Sequence, residues 1–120
     1  MSVAHKAQAL AIYCIDFRFQ EMIEKDLEDR NLKGKVDKIT IPGASMDLAA
    51  VMEHAKVSIR LHDPDEIIIY EHEDCGAYGE DNSQQTHRKN AQKLADKLKA
   101  VKPTLSVTTL IATFDGIKTL

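Results

Sequence analysis

Short runs of apolar and β-branched residues alternate with longer amphipathic segments along the chain. The runs cover residues 9 to 14, 36 to 41, 66 to 72 and 105 to 114, and their length and composition are typical of buried strands. The segments between them repeat apolar residues at helical spacing and carry charged residues on the other faces. The pattern therefore predicts four strands that are separated by helices.

The three predicted helices have recognisable ends. The first covers residues 17 to about 31 and ends before Gly34, the second is capped by Ser45 and stops at residues 62 to 64, and the third covers residues 86 to 102. Strands that alternate with helices favour an α/β fold with a mostly parallel sheet of about four strands and helices on both faces. The 120 residues are enough for one domain, predicted to span residues 1–120.

Charge and hydropathy narrow the range of partners. A net charge of -3 and a pI near 5.9 argue against nucleic acid as a partner. No apolar stretch approaches the roughly 20 residues of a membrane-spanning helix, and the start of the chain lacks a secretory signal pattern. We therefore expect a cytoplasmic protein without a membrane contact. The lysines of the third helix oppose its apolar stripe, which predicts a solvated face that comprises Lys89, Lys93, Lys97, Lys99 and Lys102.

The two cysteines stand at places where a metal site could form. Cys14 ends the first predicted strand, and His72 and Cys75 follow the third. Ligands of parallel sheets bind beyond the carboxyl ends of the strands, so the three side chains meet there if the first and third strands are neighbours. Two thiolates and one imidazole suit Zn²⁺ and leave a fourth tetrahedral position free for water. The alternative on cysteine count alone is a pair of buried, inert thiols.

The other histidines have no companions at ligand spacing, so we expect ordinary polar residues at His5, His54, His62 and His87.

Asp16 and Arg18 follow the first cysteine closely. Asp16 could cap the helix that begins near Phe17. Arg18 in the first turn opposes the helix dipole and calls for an anionic partner, of which Asp16 is the nearest. Paired in this way, Asp16 would stay ionised and could accept a hydrogen bond from zinc-bound water or hydroxide.

The two motifs together resemble those of the β-class carbonic anhydrases, C-x-D-x-R and H-x-x-C-G, which stand here as "CIDFR" and "HEDCG". The resemblance implies a zinc lyase that interconverts CO₂ and bicarbonate by zinc-hydroxide attack. It implies that Cys14, His72 and Cys75 are zinc ligands. It also implies that Asp16 and Arg18 form a catalytic dyad and that the amide of Gly76 binds bicarbonate.

The sequence departs from the family pattern at Phe17, where serine is usual, and in "TIPGAS", where an Arg-Asn-Ala-Gly-like segment is usual. We expect Phe17 and Tyr78 to line an apolar pocket for CO₂. Two alternatives stay open. One is a hydrolase of carbonyl sulfide or carbon disulfide, and the other is a non-catalytic zinc module in which Asp16 is the fourth ligand. Because members of the family pair, and because "LSVTTLIATF" carries apolar side chains near a sheet edge, we expect at least a homodimer.

Overall fold

The computed structural model describes residues 5 to 120, which form a five-stranded sheet flanked by helices. The strands are β1 (Ala9–Tyr13), β2 (Val36–Thr40), β3 (Glu66–His72), β4 (Ser106–Thr113) and β5 (Gly116–Thr119). The α-helices are α1 (Gln20–Asp29), α2 (Leu48–His62) and α3 (Gln84–Val101). Three short 3₁₀ turns lie at Phe17–Phe19, Ala44–Met46 and Gly76–Tyr78.

The strand order is β2-β1-β3-β4-β5, and β5 alone runs antiparallel to its neighbour. This order confirms the predicted mostly parallel α/β fold and the pairing of the first strand with the third. The fifth strand was not predicted. It pairs with residues 110 to 113 of β4, where Leu110, Ile111 and Ala112 are buried, and leaves the first half of β4 without a neighbour on that side.

Two apolar layers cover the faces of the sheet, because successive strand residues point to opposite sides. Leu10, Ile67 and Ile69 pack with residues of α2 and α3 on one face. Ile68 and Tyr70 pack with residues of α1 on the other. Full burial of one such aliphatic side chain contributes about 1.5–3 kcal/mol, so these layers hold the strand ends in place.

The helix ends differ from the predictions for local reasons. The first helix opens with the 3₁₀ turn at Phe17–Phe19 and ends at Asp29, followed by Asn31 in the left-handed region with a φ of 62°. The second is capped by Asp47, whose carboxylate accepts a hydrogen bond from the amide of Ala50, and not by Ser45. Ser45 is buried and makes a different contact, described below. The third begins at Gln84, after the Ser83 cap.

The five lysines predicted to form a solvated face on the third helix divide into two groups. Four are exposed, as predicted: Lys89, Lys93, Lys97 and Lys99. Lys102 instead donates to the carboxylate of Asp63 at 2.8 Å and to the carbonyl of Pro64 at 2.7 Å, and so joins the end of α3 to the end of α2.

Within residues 5 to 120, none of the helices combines the length and apolar character that crossing a membrane requires.

Candidate metal centre

The predicted ligands Cys14, His72 and Cys75 meet at the carboxyl edge of the sheet. Cys14 follows β1, His72 is the last residue of the adjacent strand β3, and Cys75 lies in the loop after it. One donor atom of each residue lies within 4.8 Å of the other two, and all three residues are buried. The structure thus brings together residues that are 61 positions apart.

The spacing and chemistry of this cluster fit a zinc ion. The two sulfur atoms are 3.9 Å apart, and both cysteines are free. A tetrahedral site with Zn–S bonds of about 2.3 Å has sulfur atoms about 3.8 Å apart. His72 Nδ1 lies 2.7 Å from the carbonyl oxygen of Glu73, which leaves Nε2 for a ligand. His72 Nε2 is buried and has no hydrogen-bond partner among the described residues, as a metal-binding nitrogen requires.

The two thiols have opposite pKa shifts. Burial disfavours the thiolate of Cys14, but the nearby His72 ring and the Gly43 amide, 3.3 Å from Sγ, outweigh it and lower the pKa of Cys14 to about 7. Burial and the neighbouring Cys14 raise the pKa of Cys75 to about 11. Burial also disfavours the charged His72 ring, but Cys14, the Glu73 carbonyl and Asp16 together outweigh it and raise the pKa of His72. A divalent cation would therefore displace protons on binding here.

Gly43 lets the backbone approach the sulfur of Cys14. Its φ of 73° lies in the left-handed region. A Cβ atom built at this position would lie 3.2 Å from the Cβ of Ala77 and 3.2 Å from the Cε of Met46. A larger residue would push the amide away from Cys14 or separate the turn at Ala44–Met46 from the turn at Gly76–Tyr78.

Asp16 and Arg18 form the ion pair that the sequence predicted. Arg18 Nη2 lies 2.6 Å from Asp16 Oδ2, and the backbone amide of Arg18 donates to Asp16 Oδ1 at 3.0 Å. Asp16 therefore caps the 3₁₀ turn and binds the guanidinium at once. Hydrogen bonds from Arg18 lower the pKa of Asp16 to about 2. Its Oδ2 lies 3.9 Å from His72 Nε2, beside the metal cluster.

Two further contacts fix this turn, and sequence reasoning missed both. Arg18 Nη1 lies 3.0 Å from the carboxylate of Asp74, and Nη2 donates to the carbonyl of Asp74 at 2.9 Å. The side-chain amide of Gln20 donates to the carbonyl oxygens of Cys14 at 2.9 Å and of Asp16 at 3.1 Å. The Arg18 contacts join the segment after β1 to the loop that carries Cys75, and the Gln20 contacts hold that segment to the start of α1.

Phe17 does not lie where the sequence predicted. Phe17 is 85% exposed, so the expectation that it lines a pocket is wrong. Phe19 instead stacks on the His72 ring, with 4.6 Å between ring centroids, and Phe114 stacks on Phe19 at 5.0 Å.

Gly76, the predicted substrate-binding residue, follows Cys75 directly, and a Cβ atom built there would meet nothing within 4 Å.

A buried polar cluster lies beside the metal cluster and also escaped sequence reasoning. His87, expected to be an ordinary polar residue, is 1% exposed, and its Nδ1 lies 2.7 Å from Glu71 Oε1. Tyr78 also donates to Glu71, and burial raises its pKa above the usual range. The available signal was the position of Glu71, which shares the strand face of Ile67 and Ile69 and so points toward α2 and α3.

Solved structures share this fold. The carbonic anhydrase from Glaciozyma antarctica superposes with a TM-score of 0.67 and 12% sequence identity, over 97% of this chain and 83% of that one. One of two tetrameric beta-carbonic anhydrases from Sordaria macrospora superposes with a TM-score of 0.57 and 16% identity, over 97% and 81% of the two chains. The fold is therefore that of the β-carbonic anhydrases.

A family model described as "Putative carbonic anhydrase" matches residues 4–116. The chain belongs to this family. An uncharacterized protein of Rickettsia conorii is 26% identical over 136 residues, which cover 98% of this chain and 73% of that protein. The resemblance to the β-class carbonic anhydrases that the two motifs indicated is thereby confirmed at the level of family and fold.

Proposed function

We propose that the chain is a zinc-dependent carbonic anhydrase that interconverts CO₂ and bicarbonate. The observation that carries the proposal is the convergence of Cys14, His72 and Cys75 at one edge of the sheet, within 4.8 Å of one another. The ion pair of Asp16 and Arg18 lies beside them. Membership of the family and the fold support the same activity.

The three donors would hold the metal, and the neighbouring residues would direct the reaction. Zinc would supply a Lewis acid that turns water into a nucleophile toward CO₂ near neutral pH. Asp16, ionised and fixed by Arg18, would accept a hydrogen bond from that nucleophile and orient it. Gly76, at the start of the turn after Cys75, would offer its amide to bicarbonate. Because two thiolates donate charge to the metal, we expect activity to rise above neutral pH.

The orientation of Arg18 favours an open site over a closed, non-catalytic one. In a closed site, Asp16 would bind the metal as a fourth ligand and Arg18 would turn away. In the structure, Arg18 Nε and Nη2 hydrogen-bond to the carboxylate of Asp16 at 2.6–3.3 Å. This carboxylate already has a partner, so the fourth position would be left for water.

Stopped-flow measurement of CO₂ hydration tests the proposal. The zinc-loaded protein should accelerate hydration at pH 8.5, whereas the same protein treated with a chelator should not. Release of sulfide from carbonyl sulfide or carbon disulfide, measured in parallel, would identify the alternative hydrolase. If zinc-loaded protein gives no hydration rate above that of buffer, it is not a carbonic anhydrase.

We also propose that the protein is at least a homodimer. Three exposed apolar side chains support this: Ile15, Phe17 and Phe114 flank the segment that carries Asp16 and the stack on His72. The related fold from Sordaria macrospora is tetrameric. Light scattering during size exclusion at micromolar concentration should give at least about twice the chain mass of 13.4 kDa. A mass near that of one chain would show a monomer, whose site is built from one chain alone.

A cytoplasmic location is proposed on the state of the cysteines. Cys14 and Cys75 are free thiols with their sulfur atoms 3.9 Å apart. A reducing compartment keeps such a pair available to a metal, whereas an oxidising one favours disulfides.

A further inference from the structure

Glu71 and His72 are consecutive residues that point to opposite faces of the sheet. The His72 ring stacks on Phe19, which belongs to the α1 side. The side chain of Glu71 points to the other side, where it meets α3 and the turn at Ala44–Met46. Glu71 thus lies directly beside a candidate metal ligand and borders the same small cavity as Cys14 and Cys75, while its carboxylate contacts groups on the α3 side. Only 3% of the residue is exposed.

Three donors converge on the Glu71 carboxylate. Ser45 Oγ donates to Oε2 at 2.6 Å, and Tyr78 Oη donates to Oε1 at 2.6 Å. His87 Nδ1 lies 2.7 Å from Oε1. A buried carboxyl group costs several kcal/mol unless it is paired and hydrogen-bonded, so the three contacts are what make this position tolerable.

Two of these donors belong to the turns that support the cysteines. Ser45 lies two residues after Gly43, whose amide donates to Cys14 Sγ at 3.3 Å. Tyr78 lies in the turn after Cys75, and its backbone amide donates to the carbonyl of Cys75 at 3.0 Å. The two turns also touch, since a Cβ built on Gly43 would lie 3.2 Å from the Cβ of Ala77. The Glu71 carboxylate therefore bridges the supports of the two sulfur atoms, whose Ser45 Oγ and Tyr78 Oη also lie 3.3 Å from each other.

We propose that Glu71 is a positioning residue of the metal centre, which holds the Gly43 amide against Cys14 and the turn after Cys75 in a geometry that binds zinc. This inference rests on the proposed metal site, though not on its catalytic activity. Second-sphere groups of metal sites commonly change metal affinity 10- to 100-fold when they are replaced. Glutamine does not reproduce these contacts, because a carboxylate accepts at both oxygens whereas the amide would place a donor against Ser45, Tyr78 or His87, whose hydrogen bond would have to reverse or break.

Zinc affinity measured by competition with a chromophoric chelator tests the proposal. Glu71→Gln should bind zinc about 10- to 100-fold more weakly than the wild type. Tyr78→Phe and Ser45→Ala each remove one donor and should weaken binding by about 2- to 10-fold. In the cobalt-substituted protein, each variant should shift the thiolate-to-cobalt charge-transfer band, because the sulfur atoms change their angle to the metal.

The matched control is Ser58→Ala. Ser58 is also a buried serine that donates to a carboxylate, that of Asp37 at 2.7 Å, but this pair lies on β2 and α2 and away from the cysteines. Its loss should lower the free energy of unfolding of the metal-free protein in urea and leave zinc affinity unchanged.

If Glu71 had a purely structural role, Glu71→Gln would behave like Ser58→Ala, with a lower free energy of unfolding and unchanged zinc affinity. If Glu71→Gln folds and binds zinc within twofold of the wild type, the proposal is overturned. If Glu71→Gln does not fold, Tyr78→Phe and Ser45→Ala decide the question, and unchanged affinity in both overturns it. Tight zinc binding by a wild-type protein that hydrates no CO₂ would end the proposed function and leave the role of Glu71 standing.

Discussion

Replacing Cys14 with serine is expected to abolish CO₂ hydration and to weaken zinc binding by more than about 100-fold, beyond the range for second-sphere changes. Serine nearly matches cysteine in shape and could still accept the hydrogen bond from the Gly43 amide. Its hydroxyl does not ionise near neutral pH, whereas the pKa of Cys14 is about 7. Zinc content by atomic absorption and stopped-flow hydration rates measure the two effects.

The metal-free forms provide the control for Cys14→Ser. Urea unfolding of metal-free wild type and variant should give free energies within about 1 kcal/mol, because the substitution changes one buried atom. A variant that keeps one zinc ion per chain and hydrates CO₂ at the wild-type rate would show that Cys14 is not a ligand. The inert-thiol interpretation would then apply.

Replacing Asp16 with asparagine is expected to lower the hydration rate by about 10²–10⁴-fold while zinc stays bound. The neutral amide has one acceptor oxygen, so it cannot both bind Arg18 through two oxygens and orient the nucleophile. Zinc content and hydration rate, measured on the same sample, separate binding from catalysis.

Asp74→Asn is the matched control, because Asp74 is the other carboxylate on Arg18. Its side chain is 70% exposed, and exposed ion pairs contribute at most about 1 kcal/mol, so its hydration rate should fall by less than about fivefold. Equal losses in Asp16→Asn and Asp74→Asn would assign the effect to Arg18 alone.

The pH dependence of folding gives a second test of the Asp16 pair. Arg18 lowers the pKa of Asp16 from 3.8 to about 2. At pH values above 3.8, the ionised carboxylate therefore stabilises the folded protein. This contribution disappears as the pH falls through about 2. In the metal-free protein, the stability difference between wild type and Asp16→Asn should be constant above about pH 4 and shrink below it.

The strands were predictable because their apolar runs are long enough to need burial. "EIIIYEH" coincides with β3. The pairing of β1 with β3 was predictable because the first and third strands are commonly neighbours in folds of this class. The last strand, β5, escaped because "GIKT" is short, half polar and antiparallel, and it is stabilised by pairing with β4 more than by its own sequence. It covers only the second half of β4, so the edge to which the expected dimer contact was assigned is partly occupied.

The sequence predicted only those residues of the candidate site whose type and position leave few possible chemical roles. Two cysteines and a histidine at strand ends indicate a metal, and an arginine in a first helical turn indicates an anion. Ser45 and His87 carry no such restriction: serine caps helices in many sequences, yet here Asp47 does so. Their partnership with Glu71 depends on tertiary packing that no local pattern encodes.

The consecutive residues Glu71 and His72 also fix the register of β3. "III" offers nearly identical side chains to both faces, so hydrophobic burial alone does little to distinguish the native alignment from one displaced by a single residue. Such a slip would turn a carboxylate toward Phe19 and an imidazole toward Ser45 and Tyr78, and would leave both without their partners. The polar end of the strand therefore excludes the shifted pairing, and a one-residue insertion before Glu71 would misplace both side chains while leaving the isoleucines buried.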